Sequence, residues 1–256
     1  MDVILLPAGN PSTWTGPTGN NTFLLPGKIP TLIDAGVGAE THLHAIDRAL
    51  DGGPLALVLI THGHSDHVSG VPMIASRWPS VRVRQFGSGA DPLSADEIID
   101  AGNDRVVVLH TPGHSPDHCC FLLGSDVFCG DLLRIGGTVV IPASRGGDLA
   151  EYLNSLQRIR DLRPHRLFPG HGPIIENPAA LIDEYIRHRA DREAQILAAL
   201  DQNPRSVPEI VAVVYQDLAG DLTRAAAETV TAHLIKLEKE GRAQATREEG
   251  VKRWLR

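Results

Sequence analysis

Leu55-Ala56-Leu57-Val58-Leu59-Ile60-Thr61-His62-Gly63-His64-Ser65-Asp66-His67 is the stretch that decides the fold. Residues 55–60 are apolar without interruption, so the strand they form must be covered on both faces. Directly after it come four potential metal ligands, His62, His64, Asp66 and His67. In extended chain, side chains two apart point the same way, so His62 and His64 can grip one ion together. Asp66 and His67 fall where the chain turns into a helix, which lets them aim at a second ion.

Three further residues sit in the same setting. His114 follows the β-like run 105–110 through Thr111-Pro112-Gly113, Asp131 follows 126–129 through Gly130, and His171 follows 166–168 through Pro169-Gly170. A glycine beside each permits a tight turn and close backbone approach. A lone His or Asp after a strand is usually structural. Together with the first cluster, however, these make five histidines and two aspartates, which suits zinc or a similar first-row metal. Two such ions can share one water and lower its pKa to about 7. The resulting metal-bridging hydroxide attacks a carbonyl carbon or a phosphorus. Asp66 then acts as ligand and as the group that orients the nucleophile, and no Ser or Cys nucleophile is needed.

Working outward, short β-like runs fall at 3–6, 22–25, 31–34, 55–61, 81–86, 105–110, 118–123, 126–129 and 166–168. Helical patterns fall at 39–50, 68–78 and 148–162. Strands and helices mixed in this order predict a layered α/β domain. Past residue 175 the character changes. Asn177-Pro178 opens a long helix reaching about residue 200, with Asn177 as its cap. Residues 201–204 read as a linker, and Ser206 with Glu209 forms a capping-box pattern. A third helix covers 223–240, ended by Gly241, and two β-like runs at 242–247 and 251–255 meet at Glu249-Gly250. Helix, helix, hairpin is the order of a winged-helix module. The expected division is a catalytic domain over 1–200 and a winged-helix-like domain over 201–256.

Composition bounds the function. Hydrophobic residues make up 42% and charged residues 21% of the 256, as in an ordinary globular protein. No apolar run approaches the roughly 18 residues of a membrane span. The opening residues 1–11 read as a first strand, not a signal peptide. A net charge of −7 argues against a constitutive polyanion binder, although two divalent ions would add four positive charges at one spot. Cys119, Cys120 and Cys129 form no disulfide framework and suggest a reducing, cytoplasmic setting. They read as small buried hydrophobes; Cys129 as a ligand or redox thiol is the alternative.

The order and spacing of His-x-His-x-Asp-His, His114, Asp131 and His171 resemble the metallo-β-lactamase superfamily over nearly the first 175 residues. The resemblance implies an αββα sandwich with two metals at one edge. It implies that His62, His64 and His114 hold the first metal, that Asp66, His67 and His171 hold the second, and that Asp131 bridges them. Asp34, in Leu32-Ile33-Asp34-Ala35-Gly36, matches a position that supports the ligands. A narrower similarity is to the lactamase-beta-like protein 2 group. It rests on Asn10-Pro11-Ser12, Asn21-Thr22-Phe23-Leu24, Thr111-Pro112-Gly113-His114, Pro169-Gly170-His171-Gly172-Pro173 and Tyr185-Ile186-x-His188-Arg189 leading into a winged helix. That group implies endoribonuclease action on single-stranded RNA. The stretch 141–147 departs from its pattern.

Several readings stay open at this level. Phosphodiesters, RNA first, are the leading substrate class. Small acyl compounds (lactone, thioester, β-lactam) or phosphotriesters are the alternative, because fold alone does not decide substrate. A one-iron persulfide dioxygenase is disfavoured by the full seven-ligand set, and a flavodiiron protein by His64, where Glu is usual. From Asp201 onward nine basic and nine acidic side chains cancel. Arg247, Lys252, Arg253 and Arg256 with Trp254 make a modest basic wing, so the module is either a nucleic-acid reader or a lid or homodimer element. His118 is a candidate supporter of the ligands. His188 and Arg189 are candidates for phosphate contact or an inter-domain salt bridge. Trp14 is a candidate for the substrate mouth. His42, His44, His110, His165 and His233 read as structural.

Overall fold

The computed structural model describes residues 2–216, 220–248 and 250–256. Two five-stranded sheets face each other. The first runs in the order β1 (Ile4–Pro7), β2 (Asn21–Leu25), β3 (Thr31–Ile33), β4 (Leu57–Ile60), β5 (Arg82–Gln85). The second runs β10 (Arg166–Pro169), β9 (Asp126–Gly130), β8 (Cys119–Leu123), β7 (Asp104–His110), β6 (Ile98–Ala101).

The alternation of side chains along each strand builds three apolar layers. Leu57 and Leu59 of β4 point inward with Phe23 and Ile33, against Val106, Val108, Phe121, Phe128 and Phe168 of the other sheet. Val58 and Ile60 point outward onto α1 (Glu40–Ala49) and α3 (Val71–Arg77) through Leu43, Ile46 and Ile74. On the far side, Cys120, Val127 and Cys129 meet α4 (Leu149–Leu162) and α5 (Pro178–Ala198) through Tyr152, Leu156, Ile159, Ile182 and Tyr185. Helix, sheet, sheet, helix is the expected αββα sandwich. The unbroken apolar run of β4 is explained: both of its faces are fully buried.

The C-terminal module packs α6 (Val207–Val214), α7 (Thr223–Lys239) and the hairpin of β11 (Gln244–Glu248) and β12 (Val251–Leu255) around Ile210, Val230, Leu234, Leu237 and Trp254. It is a winged helix. The capping box of Ser206 and Glu209 is present. Glu249 of the expected turn lies outside the described residues. α5 serves both cores, with Ile182 and Tyr185 in the sandwich and Ile196 in the module.

Three expectations need correction. β6 has no counterpart among the expected strands: Ile98-Ile99-Asp100-Ala101 is short, and only its pairing with β7 makes it a strand. The helix expected over 68–78 is two, α2 (Ser65–Val68) and α3, parted at Gly70. A Cβ on Gly70 would strike the Ala35 backbone, so the chain passes close there at the expense of helical continuity. Asn177 occupies the cap position of α5, but its side chain makes no capping hydrogen bond. Among the described residues no helix is long and apolar enough to cross a membrane.

Candidate metal centre

β3 and β4 are parallel, as are β9 and β10, so the segments following them gather at one edge of the sandwich. All seven candidate ligands meet there. His62, His64, His114 and Asp131 each offer an atom to one group, and Asp66, His67 and His171 to another, with the atoms of each group within 4.8 Å of one another.

In the first group, His64 Nδ1 lies 3.0 Å from His62 Nε2 and 2.9 Å from His114 Nε2. His114 Nδ1 donates to the Val140 carbonyl at 2.8 Å, which leaves its Nε2 bare. Thr61 Oγ1 donates to Asp34 and lies 3.1 Å from His62 Nδ1, so His62 Nδ1 carries its proton and its Nε2 is also bare. His64 can supply at most one proton to the two lone pairs aimed at it. Such convergence fits a cation at the common point.

In the second group, His67 Nδ1 donates to Asp34 Oδ2 at 2.7 Å. Its Nε2 lies 3.4 Å from Asp131 Oδ1 and 3.7 Å from Asp66 Oδ2. His171 Nε2 lies 3.2 Å from Asp131 Oδ1 and 3.4 Å from Asp66 Oδ2. The other Asp131 oxygen faces His114 Nε2 at 3.6 Å. Asp131 therefore stands between the groups, one oxygen toward each.

The supporting residues explain why these side chains hold still. Asp34 adopts a positive φ of 62° just past β3, a conformation Asp tolerates better than most residues. There its carboxylate accepts from the Thr61 backbone N–H at 2.8 Å, from the Thr61 hydroxyl and from His67. Such a carboxylate fixes the His67 tautomer and raises its basicity. Gly170 leaves room: a Cβ there would lie 2.7 Å from His67 Cε1 and 2.8 Å from Asp131 Oδ1.

The electrostatics divide the two groups. Burial pushes His62 well below the usual 6.5, helped by the charges of His67 and His114. Burial, then the charge of His114, takes His64 to about 4. Burial would lower His67 too, but Asp34 and Asp131 outweigh it and hold it well above 6.5. Burial would likewise lower His171, yet Asp131 and Asp66 overcome it and push the ring up to about 9. Burial would raise both carboxylates; instead His171 and His67 hold Asp131 well below the carboxylate range and bring Asp66 to about 2. Two carboxylates that demand positive charge, beside three neutral imidazoles with converging lone pairs, fit divalent cations.

Residues outside the ligand groups fall out variously. His118 is buried behind His62, ring centroids 5.3 Å apart, with Nδ1 3.0 Å from the Thr111 carbonyl. Trp14 is 51% exposed on a turn whose backbone receives Arg134 Nη1 at 3.1 Å. Arg189 is a correction: it is 1% exposed and among the described residues reaches no acidic partner across the module boundary, but donates to the Val139 carbonyl. The basic wing is neutralised in part. Lys252 pairs with Glu238, Arg253 pairs with Glu209 and Glu248, and Trp254 is 2% exposed, so that ring is no stacking platform. The three cysteines are fully buried, and burial pushes Cys120 up to about 12 and the other two well above the usual thiol range, so they stay neutral. Asn20 and Asn21 escape the sequence reading as site residues. Asn20 Nδ2 donates to Asp66 at 3.1 Å, and Asn21 Nδ2 ties the Pro169 and Gly172 carbonyls on either side of His171. In the sequence they read as a pair of amides opening an apolar strand, Asn21 within the run Asn21-Thr22-Phe23-Leu24.

This geometry is the edge site of a metal-dependent hydrolase class, and the comparisons agree. The metallo-beta-lactamase superfamily model matches residues 15–85 and 84–171, and the beta-lactamase associated winged helix domain model matches 206–254. The chain belongs to the metallo-beta-lactamase superfamily of hydrolases. A beta-lactamase-like protein 2 homolog from Drosophila melanogaster is 35% identical, over 96% of this chain and 90% of its own. An atrochrysone carboxyl ACP thioesterase from Aspergillus chevalieri is 31% identical, over 99% of this chain and 86% of its own. A metallo-beta-lactamase family protein from Thermus thermophilus has the same fold, with a TM-score of 0.83 at 22% identity over 99% of this chain and 98% of that one.

Proposed function

We propose that this chain is a dinuclear hydrolase. One divalent ion, zinc by the chemistry of the donors, is held by His62, His64 and His114, a second by Asp66, His67 and His171, with Asp131 shared. The observation that carries this reading is the placement of Asp131, which turns one oxygen toward His114 and the other toward His67 and His171. When bound, such a pair supplies a hydroxide nucleophile at neutral pH and polarises the ester oxygen. Asp66 is the ligand candidate with a 28% exposed carboxylate, held by Asn20, and at about 2 it is ionised at working pH. It is placed to accept a hydrogen bond from water and aim it at substrate.

The first substrate class is the phosphodiester of single-stranded RNA, which the resemblance to the lactamase-beta-like protein 2 group supports. A second reading is a thioester or other small acyl compound. Two observations favour it: Lys252 and Arg253 of the wing are paired with carboxylates and its Trp254 is buried, and a thioesterase-named relative aligns with 99% of the chain, winged helix included. The test is a hydrolysis panel on metal-loaded protein with Asp66→Ala as control, metal content being measured on the same sample. RNA cleavage that vanishes in the variant, with about two ions per chain, supports the first reading. Thioester or lactone turnover without RNA cleavage supports the second. One iron per chain and no hydrolysis would sink both.

A further inference from the structure

Arg189 is a buried cation without a buried anion. It is 1% exposed, and among the described residues no carboxylate lies within 4.0 Å of it. Removing a guanidinium from water costs several kcal/mol unless something specific offsets it. Its partners here are the Val139 carbonyl and the face of the Tyr152 ring, 5.4 Å from the guanidinium carbon, while its Nε has no partner. Both partners lead to the metal centre. The carbonyl next to Val139, that of Val140, accepts the His114 Nδ1 proton at 2.8 Å. Tyr152 donates its hydroxyl to the Leu132 carbonyl at 2.7 Å, one residue past Asp131, and its backbone lies where a Cβ on Gly113 would fall, one residue before His114.

The same helix grips this loop a second time. The Tyr185 hydroxyl accepts from the Arg134 N–H at 3.2 Å and lies 2.7 Å and 2.8 Å from the Arg134 and Gly137 carbonyls. Tyr185 and Arg189 are one helical turn apart, so they present to the same face. Residues 134–140 have no strand or helix of their own to fix them. From α5, Tyr185 and Arg189 hold them by hydrogen bonds, alongside the burial of Val139 in the sandwich core.

We propose that Arg189 is a positioning residue for His114. It holds the segment at Val139 so that the Val140 carbonyl fixes the His114 tautomer and turns Nε2 to the first ion. This rests on His114 being a ligand, as read above. An outer partner of a ligating histidine is worth about 10- to 100-fold in metal affinity.

The test is a cobalt titration of the metal-stripped chain, followed by visible absorption, for wild type, Arg189→Met, Arg189→Lys and Tyr185→Phe. Arg189→Met should weaken one of the two cobalt ions about 10- to 100-fold, leave the other at its wild-type affinity, and alter the bands of only the weakened ion. Arg189→Lys should recover part of the loss, and kcat should fall with KM held. If Arg189→Met does not fold, Tyr185→Phe, which keeps its ring in the core, should show the same one-ion loss in milder form. Two ions of wild-type affinity in the folded variants would overturn the proposal, as would equal weakening of both ions. A wild type that takes up no cobalt would instead sink the metal reading itself.

Discussion

At the scale of single residues, the candidate ligand positions are legible because their chemistry is rare and their spacing is local. His62 and His64 face one way because they are two apart, and His114, Asp131 and His171 stand out by following β-like runs. What fixes them is legible at Asp34 and not in the roles of the rest. Val140 acts through its backbone, Asn20 arrives from a distant loop, and Arg189 lies on a helix far along the chain. No local pattern marks such residues, because tertiary contact alone gives them a role. Gly170 tests how tight the centre is. Its backbone is not in the left-handed region, so alanine suffers no conformational strain, and only the two contacts of a new Cβ matter. Gly170→Ala should lower metal affinity at least 10-fold and cut kcat about 10- to 100-fold, since displacing a reacting group by about 1 Å can cost that much. Equilibrium dialysis and steady-state rates measure both.

At the scale of elements, strands with a buried alternation and helices with strong boundaries are readable, and the failures are instructive. β6 is held by its partner, and the 68–78 helix breaks where Gly70 must pass under Ala35. Within the stretch 141–147, Ser144 donates its N–H and hydroxyl to Glu228 of α7, so the winged helix docks there. Buried histidines give the elements a shared sensitivity to acid. Burial takes His42 of α1 from the usual 6.5 to about 4, and His233 of α7 to about 3, with Arg189 and Lys236 adding to the latter. A depressed folded pKa means the unfolded chain binds the proton more readily. Stability is therefore full above pH 6.5 and is lost as pH falls through 4 toward 3, by about 3 kcal/mol or more for each group. Neither ring nitrogen of His233 has a partner, so an apolar replacement loses no hydrogen bond. His233→Leu should unfold at a more acidic midpoint than wild type, followed by circular dichroism on metal-stripped protein. An unchanged midpoint would place the acid sensitivity elsewhere.

At the scale of the whole molecule, ions in the proposed centre would join what the sequence keeps apart. The candidate ligands come from the loops after β4, β7, β9 and β10, which belong to two different sheets, so a metal held by them would tie the sandwich together at the edge where its strands end. Without ions the edge should still hold. His67 stays paired with Asp34, His171 with Asp131 and Asp66, and three apolar layers lie beneath. Metal bound to the folded chain alone adds RT ln(1 + [L]/Kd), about 2.7 kcal/mol at a hundredfold excess over Kd. For a chain of this size each kcal/mol moves Tm by about 2–4 °C. Chelation should therefore lower the melting temperature by roughly 5–10 °C with the far-ultraviolet spectrum intact, and zinc should restore it. The readout that separates the centre from the rest is the pair of modules. The winged helix holds no candidate ligand among its described residues and meets the sandwich through α5 and the contacts of α7, so its Trp254 lies away from the metal edge. Amide exchange should rise on chelation in residues 61–67, 111–114 and 130–140 and stay level in α6 and β12. Exchange that rises equally in the winged helix would mean that the ions stabilise the chain as one cooperative unit, and that the edge is not where their binding energy is stored.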